Sequence, residues 1–299
     1  MAASKQSTSR PRLACEISAG RVIAARASDK GALEMFIIRQ LQPGAVVPGL
    51  GAANIQDASA LRAAVNGALA ALSGGSRDVT VILPDAAVRV LLLEFDDLPN
   101  KAQERESVIR FRLKKSLPFD VEQAALSCDV RRSNGTVQVV AAVSPQEIIK
   151  EYETIFKDAG YLPGVLLPSS LAALGLLQGD RPVLMLKVDP ASVTVAAAMN
   201  QELRLMRNLD NPHGENVPAA ELAETVLPSI VFFEDHFGSR IEQILVTGIA
   251  SLDEIGPMLH QQTGAQVQEL APKVSSTANL SGDSYEPSVM AGVAGALLG

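Results

Sequence analysis

Two stretches decide the reading of this chain: LACEISAGRVIAARASDKGALEMFIIRQ, residues 13–40, and VLMLKVDPASVTVAAAMNQELRLMR, residues 183–207. In the first, β-prone runs at Leu13 to Ile17, Arg21 to Ala25 and Glu34 to Arg39 are separated by Ser18-Ala19-Gly20 and by the turn region Ser28 to Gly31. In the second, Val183 to Val188, Ser192 to Ala198 and Leu203 to Arg207 are separated by Asp189-Pro190-Ala191 and Asn200-Gln201. Each meander is followed by a helical pattern. After the first, Leu61, Val65, Leu69 and Leu72 share one face, with Asp57 as cap and Gly74-Gly75 as stop. After the second, Leu222, Val226, Ile230, Phe233 and Phe237 do the same, with Pro228 expected to kink the helix and Gly238 to end it. A strand then closes each unit, Val79 to Leu83 and Ile241 to Val246. The same β-β-β-α-β order thus occurs twice. Either two pseudo-equivalent lobes enclose a cleft, or common elements recur by chance.

Between the repeats lies a segment with a different grammar. Leu98-Pro99-Asn100 opens a helix expected to run to about Ser116, with Val108, Ile109, Phe111 and Leu113 on its apolar side, and Leu117-Pro118-Phe119 ends it. Leu126 to Arg132 and Thr136 to Val143 then form a hairpin around Asn134-Gly135, a pair that tolerates positive φ. Ser144-Pro145-Gln146-Glu147 has the pattern of a capping box for a second helix, which Gly160 closes. Helix, hairpin and helix predict one inserted subdomain.

Composition narrows the function classes. The chain has 299 residues, 47% of them apolar and only 4% aromatic, so a core of Ala, Leu, Val and Ile is expected and general disorder is excluded. A net charge of −7 opposes nucleic-acid binding. Met1 to Pro11 is polar and reads as a mobile tail without signal-peptide character, and no apolar run is long enough to cross a bilayer, so a soluble intracellular protein is expected. Cys15 and Cys128 stand in no metal or redox spacing and read as buried thiols. His213, His236 and His260 lack companions and read as surface or helix-end residues. No GxSxG, P-loop or GxGxxG pattern is present, and neither a catalytic residue nor a metal ligand is assigned. The six basic residues Lys101, Arg105, Arg110, Arg112, Lys114 and Lys115 could face an anionic surface, but they wrap around the helix among Glu104 and Glu106, which favours a solvated face.

Leu98-Pro99, Leu117-Pro118-Phe119, Val139 to Val143 and Ala159-Gly160, followed by Ile244 to Gly248, Leu270-Ala271-Pro272 and Ala291 to Gly299, resemble in order and spacing the PilM family, the actin-like proteins of type IV pilus assembly, which are themselves similar to FtsA. The resemblance covers nearly the whole chain after the tail. It implies an α/β, actin-like two-lobed fold built from the duplicated β-β-β-α-β unit: lobe 1 from 12–84 and 164–180, a 1C-type helix-hairpin-helix insertion at 85–163, lobe 2 from 181–299, and a disordered tail at 1–11. It also implies where a nucleotide would contact the chain. The family's first turn, Asp-x-Gly with hydroxyl residues, corresponds to Glu16, Ser18 and Gly20; its second turn to Lys187 and Asp189, in place of an acid and a glycine; and its Gly-Gly adenosine turn to Gly248 and Ile249. Only the acid type of the first turn survives. A carboxylate at 189 should repel phosphates, and the β-branched Ile249 should crowd a base.

The reading is therefore a degenerate nucleotide site with no cofactor, in a non-catalytic cytoplasmic scaffold held at the inner membrane by a partner. The resemblance implies that this partner is the N-terminal tail of a PilN-like inner-membrane protein, docked in a groove beside the insertion, with Leu98, Phe111 and Phe119 as candidate contacts. Self-association, frequent among actin relatives, is left open. The alternative is an active ATPase that binds ATP and magnesium, with Glu16 directing the metal, Lys187 touching a phosphate and Gly20 lending flexibility. A sugar kinase on the same fold would need a cleft base that the sequence does not offer. The GspL-type cytoplasmic region of type II secretion is similar in architecture.

Overall fold

The computed structural model describes residues 11–72, 74–133, 135–214, 216–273, 277–282 and 285–299. The tail expected at 1–11 lies outside them except for Pro11, as does Asn134 of the predicted turn. Along the chain the strands and α-helices are β1 (Leu13–Ile17), β2 (Arg21–Ala27), β3 (Leu33–Gln40), α1 (Ala58–Leu72), β4 (Asp78–Leu83), β5 (Arg89–Phe95), α2 (Ala102–Leu113), β6 (Ala124–Ser133), β7 (Thr136–Pro145), α3 (Gln146–Asp158), β8 (Leu162–Pro168), α4 (Ser169–Ala173), β9 (Val183–Val188), β10 (Ser192–Met199), β11 (Glu202–Asp210), α5 (Ala219–Phe237), β12 (Gln243–Thr247), α6 (Ile255–Thr263), β13 (Gln266–Glu269), β14 (Ala278–Asn279) and α7 (Ala291–Leu298).

The repeated unit builds two sheets of the same design. One runs β14-β3-β2-β1-β4-β8 and the other β11-β10-β9-β12-β13. In each, the meander is antiparallel and its first strand then pairs in parallel with the strand after the helix: β1 with β4, and β9 with β12. Strands buried on both faces explain the near-continuous apolar runs, since helices or neighbouring elements cover each side. Asp57 accepts the Ala60 N–H at 2.9 Å, and α1 buries Leu61, Val65, Leu69 and Leu72, each contributing roughly 2 kcal/mol relative to exposure. The α5 helix buries the matching face and includes Pro228 within its length; Gly238 ends it at φ 63°. Asn200 and Gln201, at φ 55° and 60°, make the tight left-handed turn between β10 and β11.

Four expectations are corrected. The first insertion helix ends at Leu113, and of its apolar side only Ile109 and Leu113 are buried, while Phe111 is 75% exposed. The capping box does not form. The buried Ser144 hydroxyl donates instead to the Ala87 carbonyl at 2.8 Å, and Pro145 is the residue at the helix start. The α3 helix, expected in the insertion, belongs to the first lobe's core through Ile148, Tyr152, Ile155 and Phe156. Its Glu151 accepts the N–H groups of Asn54 and Ile55 at 2.8 and 3.1 Å, and Tyr152 donates to Asn54 Oδ1 at 3.1 Å, so it clamps the loop before α1. The insertion's own core is the β5-β7-β6 sheet covered by α2. Finally, β14 pairs with β3, and α7 packs Val293 and Ala294 against Ala14, Ile23 and Ala25 while Ala291 at its start meets Met185 and Ala196, so the chain's last segment, expected in the second lobe alone, joins both lobes.

Candidate functional site

The two lobes face each other across the ends of β1 and β9, and the side chains there are polar yet buried. Glu16 is 6% exposed, Asp85 2% and Lys187 4%. From the first lobe, the Ser169 hydroxyl at the start of α4 donates to Glu16 Oε1, while the next residue, Ser170, donates both its N–H and its hydroxyl to Asp85 Oδ1 at 2.8 Å. Those bonds leave the other Asp85 oxygen facing the second lobe. Lys187 Nζ lies 3.4 Å from it, the Thr194 hydroxyl also 3.4 Å, and Lys187 bonds to Asp189 within its own lobe. Arg89 donates to Asn208 at 3.1 Å and Asn208 to Thr194 at 2.8 Å, extending the chain of bonds outward.

Burial decides the protonation states. It pushes Glu16 up to about 7, against the opposing pull of Lys187, the Ser169 hydrogen bond and Arg21, with Asp189 adding to the rise. Burial alone would lower Lys187, but Asp189, Asp85 and Glu16 more than offset it and hold the ammonium above its usual range. Glu16 Oε2 has no hydrogen-bond partner among the described residues.

Of the turn residues singled out from the sequence, Glu16, Ser18, Lys187, Asp189 and Gly248 line this centre, while Gly20 and Ile249 only neighbour lining residues in the chain. Ser18 closes the first hairpin, its N–H and hydroxyl both donating to the Arg21 carbonyl, and the Gly20 carbonyl accepts from Leu41 N–H at 2.8 Å. Gly248, at φ 84°, packs its Cα against the Val188 carbonyl where a Cβ would overlap that oxygen, so glycine is required twice over. Ile249 packs against the second lobe's core. Two details depart from expectation. The Asp189 carboxylate is neutralised by Lys187 rather than left to face the cleft alone, and Lys187 is engaged by carboxylates rather than free for a phosphate. The space left among Glu16, Ser18, Lys187, Asp189, Gly248 and Gly292 is about 10 Å³, one water at most, against the ~300 Å³ or more of ordinary ligand pockets.

Sequence reading missed Asp85, Ser169, Ser170 and Thr194. Asp85 stands two residues after the predicted strand that ends at Leu83, whereas Ser169-Ser170 follow the end of β8 at Pro168, a strand the sequence did not show.

A second space lies beside the insertion. A groove of about 700 Å³ runs between β5 and β7 on one side and β11 and α5 on the other, with Leu91, Leu205, Pro228, Phe232 and Phe237 among its apolar lining. Among the described residues, strands β5 and β11 are each the last of their sheets, so each has an edge with no further strand in its sheet. Phe232 is 51% exposed and stacks on His236 at 5.4 Å. Arg204 enters with its guanidinium 5.9 Å from the Phe237 ring, donates to Gln138 at 3.1 Å and pairs with Glu202; its Nε, buried, has no partner. None of the three predicted partner contacts lines this groove. Leu98 is 2% exposed within the insertion's core and has no surface to offer; Phe119 packs against that same core; Phe111 stands on the outer side of α2. Of the basic cluster on α2, Arg110 donates to the Val121 and Ala124 carbonyls and pairs with Glu106, and Lys101 pairs with Glu104, so part of it is structural.

The remaining candidates carry no chemistry. Burial pushes the Cys15 thiol up and Cys128 to about 11, aided in each case by a neighbouring glutamate. His213 pairs with Glu221 at 2.8 Å, and His236 and His260 end helices. Among the described residues no three His, Cys, Asp or Glu side chains are placed to hold a metal ion, and no helix is long and apolar enough to cross a membrane.

No protein-family model matches this chain, and no curated protein does. Solved structures do. The PilM–PilN type IV pilus biogenesis complex superposes with a TM-score of 0.78 at 20% identity, over 96% of this chain and 98% of that chain. The cytoplasmic domain of EpsL, an inner-membrane component of the type II secretion system of Vibrio cholerae, gives 0.52 at 14% identity, over 96% and 92%. A Bacteroides thetaiotaomicron protein with an actin-like ATPase fold gives 0.50 at 9% identity, over 86% and 89%. The fold is PilM-like, the two-lobed actin-like fold.

Proposed function

We propose that this chain is a non-catalytic adaptor of a type IV pilus or related secretion machine, cytoplasmic and held at the inner membrane through a partner whose tail it binds. The contrast between the two spaces carries this reading: about 10 Å³ of charged interior where a nucleotide would sit, against about 700 Å³ of apolar groove beside the insertion. The solved complex whose fold it shares pairs PilM with PilN, and EpsL is an inner-membrane component of a secretion system. The groove suits an extended peptide. Edge strands on both sides offer backbone donors and acceptors, and the aromatic lining offers side-chain pockets between them. The centre, by contrast, has room for neither ATP nor hydrated magnesium at about 10 Å³, and its Lys187 is already paired with Asp85 and Asp189.

The test is a calorimetric titration with a synthetic peptide of a PilN-type N-terminal tail, repeated with ATP and magnesium. Saturable binding of equal strength in both is expected, and absence of saturable binding sinks the adaptor reading. In parallel, melting temperature should be indifferent to ATP and magnesium. A nucleotide at a hundred times its dissociation constant would add about 2.7 kcal/mol of stability. A rise of that order would replace the adaptor reading with the ATPase one.

A further inference from the structure

We infer that the Lys187 ammonium is the resident cation of a carboxylate site shared by the two lobes, and that with the side chain removed the vacated space binds a primary alkylammonium from solution. This extends the reading of the centre as nucleotide-free and names what occupies it.

The geometry assigns each group a distinct part. Asp85 belongs to the first lobe and is fixed there through one oxygen by both donors of Ser170, at 2.8 Å each. Its second oxygen is thereby aimed across the cleft. Lys187 belongs to β9 of the second lobe and lies 3.4 Å from that oxygen, with Asp189 of its own lobe bonded to the same nitrogen. Thr194 adds a neutral contact to Asp85 from the same side. An ammonium with its side chain only 5% exposed is costly to bury unless it is paired, and here its partners come from both lobes. The cation is covalently tethered, so dilution or a chelator cannot remove it. The space beside it holds one water at most, at about 10 Å³, so no larger cation joins it. Lys187→Ala deletes three methylenes and the ammonium. n-Propylammonium restores those atoms, which makes it the fitting probe.

Hydrogen–deuterium exchange on the full chain provides the test. In Lys187→Ala, exchange should rise in both lobes at the cleft, in segments 13–21 and 183–194, on the order of a hundredfold, since breaking a buried pair leaves carboxylates uncompensated. n-Propylammonium chloride should reverse that rise, whereas tetramethylammonium chloride at equal concentration should not, and the parent protein should respond to neither. Asp85→Asn keeps the acceptor for Ser170 but loses the charge; it should raise exchange in both segments and gain nothing from the amine. Exchange rising only in 183–194, or a rescue no better than with tetramethylammonium, overturns the inference. Should Lys187→Ala fail to fold, Asp85→Asn decides alone: unchanged exchange in 13–21 and 183–194 overturns it. Loss of peptide binding, by contrast, would sink the adaptor reading and leave this one standing.

Discussion

The two lobes meet this protein's interior in two ways. At the centre, Glu16, Asp85, Lys187 and Asp189 converge with serines and a threonine; of the buried lining atoms Glu16 Oε2 and Ser288 Oγ lack a partner among the described residues, and almost no volume remains. At the groove, Arg204 has a buried Nε without a partner among the described residues, Phe232 is half exposed, and the bordering strands β5 and β11 each end their sheet. Buried charge tolerates no vacancy, because an unmatched ion costs several kcal/mol, so a polar centre either holds a ligand or is rebuilt to match itself. An apolar groove tolerates vacancy at modest cost per unit area and can keep its binding free energy for a partner. The difference separates what holds the fold closed from what is left to recognise something else.

The strongest way to break the contrast is to force the centre open. Gly248→Val places a Cβ into the Val188 carbonyl at a φ of 84°. Strain from both sources should cost about 3 kcal/mol or more, read as a fall in urea midpoint. A loss under about 1 kcal/mol would mean that the two turns are not in tight contact.

The next effect is a pH dependence. Burial raises Glu16 from its ordinary 4.5 to about 7, so between those values the folded chain holds a proton that the unfolded chain has released. The contribution is fully present below pH 4.5 and is lost as pH rises through about 7, a span worth on the order of 3 kcal/mol. Glu16→Gln keeps an acceptor for Ser169 and cannot titrate. The difference in stability between the two proteins should therefore shift in the variant's favour from pH 5 to pH 8; parallel curves would show that Lys187 and Arg21 hold Glu16 ionised throughout.

Much of the architecture was written in periodicity and turn chemistry. The two meanders, the α1 and α5 faces and the Asn200-Gln201 turn are local patterns, and each lobe repeats them in the same sheet order. Strand β8 was hidden because Pro163, Gly164 and Pro168 read as loop; it is the last strand of its sheet, where proline is tolerated. The site was half legible. Glu16, Lys187, Asp189 and Gly248 are marked by their turns, but Asp85 and Ser170 acquire meaning only from partners at sequence distances of 85 and 109 residues, which no local pattern encodes. The groove was misplaced for the same reason: an apolar residue on a helix says nothing about which neighbour covers it, and Leu98 is covered while Phe232 is not.

Two phenylalanines sharpen the groove side of the comparison, the first with the larger effect. Phe232 lines the groove, and Phe232→Ala should weaken the PilN-type peptide about tenfold in a titration, as loss of a central aromatic contact does, with little change in melting temperature. Phe111 is the more exposed of the two, at 75% against 51%, yet it stands on α2 away from that lining. If exposure alone drew the partner, Phe111→Ser would be the more damaging change. Because the groove's two strand edges and its aromatic wall lie between the insertion and the second lobe, Phe111→Ser should leave peptide affinity unchanged and stability within about 0.5 kcal/mol. An affinity loss at Phe111 without one at Phe232 would move the docking surface to the outer face of α2, among Arg105, Arg112 and Lys115, and would leave the 700 Å³ groove without a partner.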